Sequence, residues 1–242
     1  MCLIIFAVQP TDKLRLVVAA NRDEFYGRPA SGADYWNDHP GVLAGRDLEM
    51  GGTWLGITVH GRFAAVTNFR ETPADPAPPR SRGELTSAFL TSDHPVKNYL
   101  EEVQARESEY RGFNLIVDDG THMYYYSNRA DGIRKLEPGF YGLSNQLLDC
   151  SWPKVNKGRL KMAQIIRDHT DAEKLHEKLF ELLFDEGDGE AFSNSFIATA
   201  KYGTCAATVL SISTQGEAKF QEQVFSNNGK PKQLRSYSIE LK

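Results

Sequence analysis

The stretch MCLIIFAVQPTDKLRLVVAANRDEFYGR, residues 1–28, decides how the remainder of the chain is read. Leu3 to Val8 is an unbroken apolar run, Gln9 to Lys13 is a turn cluster containing Pro10, and Leu14 to Ala20 is a second run rich in valine and leucine. Two such runs around turn residues form a β-hairpin, and a short strand that is apolar at every position is buried on both faces. A turn centred between Thr11 and Asp12 makes paired residue numbers add to about 23, which sets Cys2 opposite Asn21; directly opposed Cβ atoms lie roughly 4.5–5.5 Å apart. The thiol, the chain's α-amine and the tetrapeptide Asn21-Arg22-Asp23-Glu24, which ends the second strand, are therefore expected at one end of a sheet.

Those residue types suggest a chemistry. If Met1 is removed, Cys2 carries a nucleophilic thiol and a free α-amine on one residue. Their ordinary pKa values, about 8.5 and about 7.7–8.0, make proton transfer between them nearly balanced at neutral pH. This is the N-terminal-nucleophile form of covalent catalysis. The alternative is that Cys2 is a small hydrophobe in a buried strand, the usual fate of free cysteine. Four polar residues opposite it weigh against that, because an interior strand does not end in such groups without a use for them.

The chain also resembles a known family. Met-Cys-Leu-Ile-Ile at the start, Ala-Ala-Asn-Arg-Asp-Glu-Phe-Tyr at 19–26 and Gly-Gly-Thr-Trp-Leu-Gly at 51–56 are similar to the NRDE family, the transport and Golgi organisation protein 2 family. The similarity continues through Arg82-Gly83-Glu84-Leu85, Gly112 to Ile116, Tyr141 to Asn145 and Lys201 to Thr204, nearly the whole chain. It implies an N-terminal-nucleophile-hydrolase type of fold, a four-layer αββα sandwich of two antiparallel sheets between helices. It also implies handling of haem or of an acyl-coenzyme A or lipid ligand, with no assigned reaction.

With 242 residues, 40% of them hydrophobic, the chain can bury a full core and is expected to be one domain. A net charge of −4 without a basic stripe argues against nucleic acid. The apolar runs fall well short of the ~20 residues that span a bilayer, and no basic segment precedes Leu3, so cytoplasm is the expected location. Three cysteines with no Cys-x-x-Cys point to neither a disulfide framework nor a structural metal.

Along the chain, 25–38 reads as irregular, 42–45 as a short strand, and 53–59 and 62–69 as a pair of strands. The proline-rich segment 72–82 reads as a surface loop, long enough for a lid though an inert connector is the simpler reading. Two short helices follow, carrying Leu85 and Phe89 and then Val96, Tyr99, Leu100 and Val103. Strands at 113–117 and 122–127 come next, the second dividing Tyr124, Tyr125 and Tyr126 between two faces. A glycine-punctuated strand at 139–145 leads to a helix capped by Ser151, then to a leucine-faced helix at 175–183. Three final strands begin at Ala206, Lys219 and Leu234. Strands, helices, strands, helices, strands in that order describe an α+β fold with antiparallel sheets.

Asn68 and Asn145 each end an expected strand, where an amide N–H can face a developing oxyanion; removing such a donor typically costs ~2.7–4 kcal/mol of barrier. Both are similar in position to the asparagines of the bile-salt-hydrolase branch of N-terminal-nucleophile enzymes. Either can equally serve as a hydrogen bond to a strand terminus. Where the family commonly continues Gly-Thr with arginine, this chain has Gly203-Thr204-Cys205, which removes a cation that could hold an anionic ligand. The six histidines match no haem-attachment or zincin spacing.

The leading expectation is a ligand-handling protein that takes haem or an acyl-coenzyme A-type lipid, with no required cofactor and no metal. Its ligand contacts would come from Asn21, Arg22, Asp23, Glu24, Arg28 and Trp54, in an apolar pocket including Trp36, Trp152 and the 124–126 tyrosines. The alternative is an amidohydrolase acting through Cys2, Asn21, Asp23, Asn68 and Asn145 around one cleft.

Overall fold

The hairpin that opens the chain forms as its apolar runs require, and the computed structural model describes it together with the rest of residues 2–71 and 80–242. In chain order the elements are β1 (Leu3–Val8), β2 (Leu14–Phe25), β3 (Ala30–Tyr35), β4 (Val42–Asp47), β5 (Leu55–Thr58), β6 (Phe63–Asn68), α1 (Arg82–Leu90) and α2 (Val96–Ala105). They continue with β7 (Phe113–Asp118), β8 (Met123–Ser127), β9 (Arg134–Leu136), β10 (Gly139–Leu143), α3 (Pro153–Asp168), α4 (Ala172–Leu183), β11 (Tyr202–Ser213), β12 (Glu217–Phe225) and β13 (Pro231–Glu240). The fold is α+β, as the order of patterns implied, with two antiparallel sheets. The proline-rich loop falls largely on 72–79, outside the described residues.

The chain forms two compact units. The first comprises 2–28, 138–144 and 148–241 and carries a six-stranded sheet in the order β10-β1-β2-β11-β12-β13. One face of β1 and β2, with Leu3, Ile5, Ala7, Val17 and Ala19, packs on Val155, Met162 and Ile166 of α3 and on Leu175, Leu179 and Leu183 of α4. Each such side chain taken fully out of water is worth roughly 1.5–3 kcal/mol. The helix α3 lies close to the sheet because Gly158 faces Ile5: a methyl added there would sit 2.8 Å from the isoleucine side chain. Its N-cap is Trp152, with no side-chain cap bond, rather than Ser151. Asp171 does cap α4, accepting from the Lys174 N–H at 2.9 Å.

One expectation about β2 changes: Leu3, not Cys2, faces Asn21. The tetrapeptide does close the strand, which runs one residue further to Phe25. There β11 pairs along it, setting Thr204 against Asp23, Gly203 against Glu24 and Tyr202 against Phe25. The polar strand end is thus held by a partner from far along the chain. The ladder is offset between Thr204 and Ala206, leaving Cys205 at a bulge.

The second unit comprises the described part of 29–137 with 145–147 and Lys242, and carries a seven-stranded sheet in simple order from β3 to β9. The strand β3 lies in the segment read as irregular, since its polar sequence Ala-Ser-Gly-Ala-Asp-Tyr gives no alternation; it pairs with β4 through a shift between Ser31 and Asp34. The strand β9, three residues long, also escapes the sequence pattern. Leu85 and Phe89 of α1 and Val96, Tyr99, Leu100 and Val103 of α2 cluster with Val66, Leu115, Val117, Tyr124 and Tyr126 of the sheet. The tyrosine run divides as alternation demands: Tyr125, between the two clustered tyrosines, donates instead to Asn114 Oδ1 at 2.7 Å.

Candidate functional site

Within the first unit, alternation along β2 sends Asn21 and Asp23 to the face that α3 and α4 cover, the same face as Val17 and Ala19. Asn21 is fully buried, and its Nδ2 donates to Leu183 O at 2.7 Å and to Ser195 O at 2.9 Å. Both amide hydrogens are therefore committed to tying the end of α4 and the segment before β11 onto β2. Asp23 is 5% exposed. Its Oδ1 accepts from Thr204 Oγ1 at 2.7 Å, while among the described residues Oδ2 has no hydrogen-bond partner. Burial pushes this carboxyl up to about 6, against the opposing Thr204 bond and the nearby charges of Lys154 and Arg22.

The Cys2 thiol meets the same residue from the backbone side, with Sγ 3.9 Å from Asp23 O. Ser144 Oγ donates to Cys2 O at 2.6 Å and fixes that residue's main chain. Burial raises the thiol's pKa, which lowers the thiolate fraction unless positive charge offsets it. Of the other residues in the tetrapeptide region, Arg22 is half-buried opposite Ala206, and Glu24 Oε1 accepts from Phe25 N at 2.8 Å. Arg28 lies on the turn after β2, its N–H donating to Phe25 O.

A residue that sequence reading passed over belongs here. Lys154, in the first turn of α3, is 1% exposed, and among the described residues its Nζ makes no hydrogen bond. Burial lowers its pKa, opposed by Asp23, Cys2 and Cys150. The signal was present: Lys154 stands four residues before Gly158 on the buried face of α3, where a helix pattern calls for an apolar side chain. Thr204 and Ser144 were likewise visible only as parts of motifs.

Asn68 and Asn145 belong to the second unit, where they meet one another: Asn145 Nδ2 donates to Asn68 O at 2.8 Å, the strand-terminus use left open above. The Asn68 side chain is exposed. Trp54 packs against the core of that unit, as do Trp36, Tyr124 and Tyr126, whereas Trp152 stacks on Phe192 in the first unit at 4.2 Å between ring centroids. In the first unit Phe184, Phe196 and Phe225 line a groove of roughly 270 Å³ together with Glu186, Gln223, Gly229 and Pro231. His176, buried, is held between Gln221 at 2.9 Å and Ser211 at 2.8 Å, and burial pushes its pKa down to about 4. Among the described residues no group of three or more histidine, cysteine or acidic side chains could hold a metal ion, and no helix is long and apolar enough to cross a membrane.

This arrangement of sheets and helices is shared with solved hydrolase structures of low sequence identity. Among solved structures, the C2A mutant of conjugated bile acid hydrolase from Clostridium perfringens superposes with a TM-score of 0.55 at 10% identity, covering 99% of this chain and 92% of that one. The Caenorhabditis elegans N-acylethanolamine-hydrolyzing acid amidase ortholog gives 0.50 at 12% identity, covering 87% and 92%. The chain belongs to the Transport and Golgi organisation 2 family, whose family model matches residues 1–227 across both units. The Transport and Golgi organization 2 homolog of Mus musculus is 35% identical over 256 residues, 92% of each chain.

Proposed function

We propose that the protein is a hydrolase of acyl amides with Cys2 as nucleophile. The observation that carries this reading is the meeting of the Cys2 thiol with a buried, Thr204-bonded Asp23 at one end of β2. In the processed chain the thiol proton passes to the α-amine of Cys2 as Sγ bonds to the amide carbon and the carbonyl π pair moves onto oxygen. Collapse breaks the C–N bond, the ammonium returning the proton to the leaving amine. Water then cleaves the thioester, releasing a carboxylic acid and the thiol. Asp23, ionised above about pH 6, supplies the negative charge that keeps an α-ammonium in place. The names of the two structural neighbours, an acid amidase for N-acylethanolamines and a conjugated bile acid hydrolase, favour an amide whose acyl part is large and apolar.

A second reading, binding of an acyl-coenzyme A or other lipid without turnover, draws support from the groove lined by Phe184, Phe196 and Phe225. A haem iron would need a ligand other than His176, whose ring nitrogens are both engaged.

One experiment separates these readings. Protein from its native host is weighed intact, then incubated with a panel of N-acyl amides beside the Cys2→Ala variant. Loss of Met1 and product release by the wild type, falling at least a thousandfold in the variant, is the expected result. Retained Met1, or equal rates in the two proteins, overturns the hydrolase reading. Saturable binding of a fatty acyl-coenzyme A by both proteins without turnover would establish the second reading instead.

A further inference from the structure

We infer that Lys154 is a positioning residue of the Cys2 site: a buried cation that holds Asp23 as a carboxylate and biases Cys2 toward its thiolate. The inference begins with register. Asn21 and Asp23 share the face of β2 that α3 covers, and Thr204, opposite Asp23 on β11, bonds the carboxyl on that face. The close fit of Gly158 against Ile5 brings the first turns of α3 down onto the same sheet. Lys154 lies there in the core, with Nζ 5.9 Å from the centroid of the Trp152 ring.

A fully buried ammonium at a helix N-terminus is doubly costly, through lost hydration and through the positive end of the helix dipole. A buried carboxyl with one oxygen lacking a donor is costly in the same way. Two such groups of opposite sign in one unit, the lysine without a hydrogen bond and the carboxyl with one oxygen unbonded among the described residues, offset each other through the low-dielectric interior, where a charge acts over a longer range than in water. A leucine at position 154 would fill the same space without that cost, so the ammonium earns its place electrostatically.

The groups that act on Lys154 are Asp23, Cys2 and Cys150. Among the described residues Asp23 and Arg22 act on Cys2 in turn, and its coupling to Lys154 is felt at the lysine. Lys154 and Arg22 are thus the side-chain cations set against Asp23, the amino terminus being the remaining one. Burial alone would leave Cys2 a poor nucleophile, and a fixed cation opposes that without relying on the protonation state of the α-amine.

This inference deepens the Cys2 reading and rests on it for its purpose, but its readout is thiol ionisation, which needs no turnover. The test is the pH profile of iodoacetamide labelling, followed cysteine by cysteine by mass spectrometry in the full-length protein. In Lys154→Met, labelling of Cys2 at pH 7 should slow at least tenfold, with its midpoint at least one pH unit higher. Cys205, whose charged neighbours are Arg22, Glu24 and Asp23, should keep its rate. Lys154→Arg should restore part of the Cys2 rate.

The reverse substitution, Asp23→Asn, should move the Cys2 midpoint down, and Asp23→Asn with Lys154→Met should bring it back up. That pair, compared with Asp23→Asn alone, supplies the answer if Lys154→Met by itself does not fold. An unchanged Cys2 midpoint on loss of Lys154 overturns the inference. So does a uniform rise in labelling of all three cysteines, which would mark Lys154 as packing only. A midpoint shift in a protein that cleaves no amide would leave Lys154 in this role and remove the hydrolase reading alone.

Discussion

Two buried asparagines, one in each unit, are treated differently by their surroundings. Asn114 of β7 is fully buried and donates to Thr67 Oγ1 at 3.1 Å and Gln146 O at 3.0 Å while accepting from Tyr125. Every atom of its amide group is used. Asn21 of β2 is as deeply buried and spends both hydrogens, but its Oδ1 has no partner among the described residues, and the same holds for Asp23 Oδ2 and Lys154 Nζ nearby. A satisfied polar knot rigidifies a core, whereas open buried valences lower stability and persist where chemistry needs them. The contrast sets the Cys2 end of β2, with three such atoms, apart from the Asn114 knot.

Substitution tests this contrast most severely at Asn114. Asn114→Ala removes the acceptor of the Tyr125 hydroxyl and the donors to Thr67 Oγ1 and Gln146 O, and at about 1–3 kcal/mol per buried hydrogen bond lost the cost should reach roughly 3–5 kcal/mol in a urea titration. A loss below about 1 kcal/mol would show that the knot is not what holds β7 in register.

Asp23→Asn should act with the opposite sign. Folding raises the Asp23 carboxyl from 3.8 to about 6, so between those values the native state binds the proton that the unfolded chain releases. Its contribution is fully present below pH 3.8 and is lost as pH rises through about 6. The variant should therefore gain up to roughly 3 kcal/mol over wild type above pH 6 and almost nothing below pH 4. A variant less stable at pH 7 would mean that the carboxylate is fully compensated.

A smaller effect is expected when both charges are removed. Lys154→Met together with Asp23→Asn replaces the buried pair by neutral groups and should stabilise by about 1–2 kcal/mol at pH 7, while Lys154→Met alone leaves the carboxylate uncompensated and should destabilise. The gain in the double variant would set the Cys2 end apart from the Asn114 knot, where every removal costs.

Much of this was legible in the residues. The apolar runs of β1 and β2 and the leucine face of α4 need only periodicity, and the structure places them within a few residues of expectation. Cys2 and Asp23 stood out because a thiol and a carboxylate flank an otherwise apolar hairpin. What stayed hidden depends on partners distant in sequence. Nothing in Asn21 to Glu24 announces that β11 will run beside it. A one-residue difference in turn geometry decides whether Cys2 or Leu3 faces Asn21, and Gln9, at φ 44°, stands in the left-handed conformation at the start of that turn. Lys154 was hidden for another reason, since a lysine near a helix start reads as solvated and only the packing of α3 shows it inside.

The pairing of Asp23 with Thr204 spans 181 residues, and this imposes an order on biosynthesis. At about 5–20 residues per second, the ribosome needs on the order of ten to forty seconds between delivering one and delivering the other. Throughout that interval β2 has an open edge on the side β11 will occupy, a bare row of amides and carbonyls beside an apolar face. Such an edge recruits any other extended segment within reach. A nascent chain stalled before Tyr202 would therefore be the form most dependent on chaperones, and the carboxyl of Asp23 would enter its buried, Thr204-bonded setting only after β11 has been made.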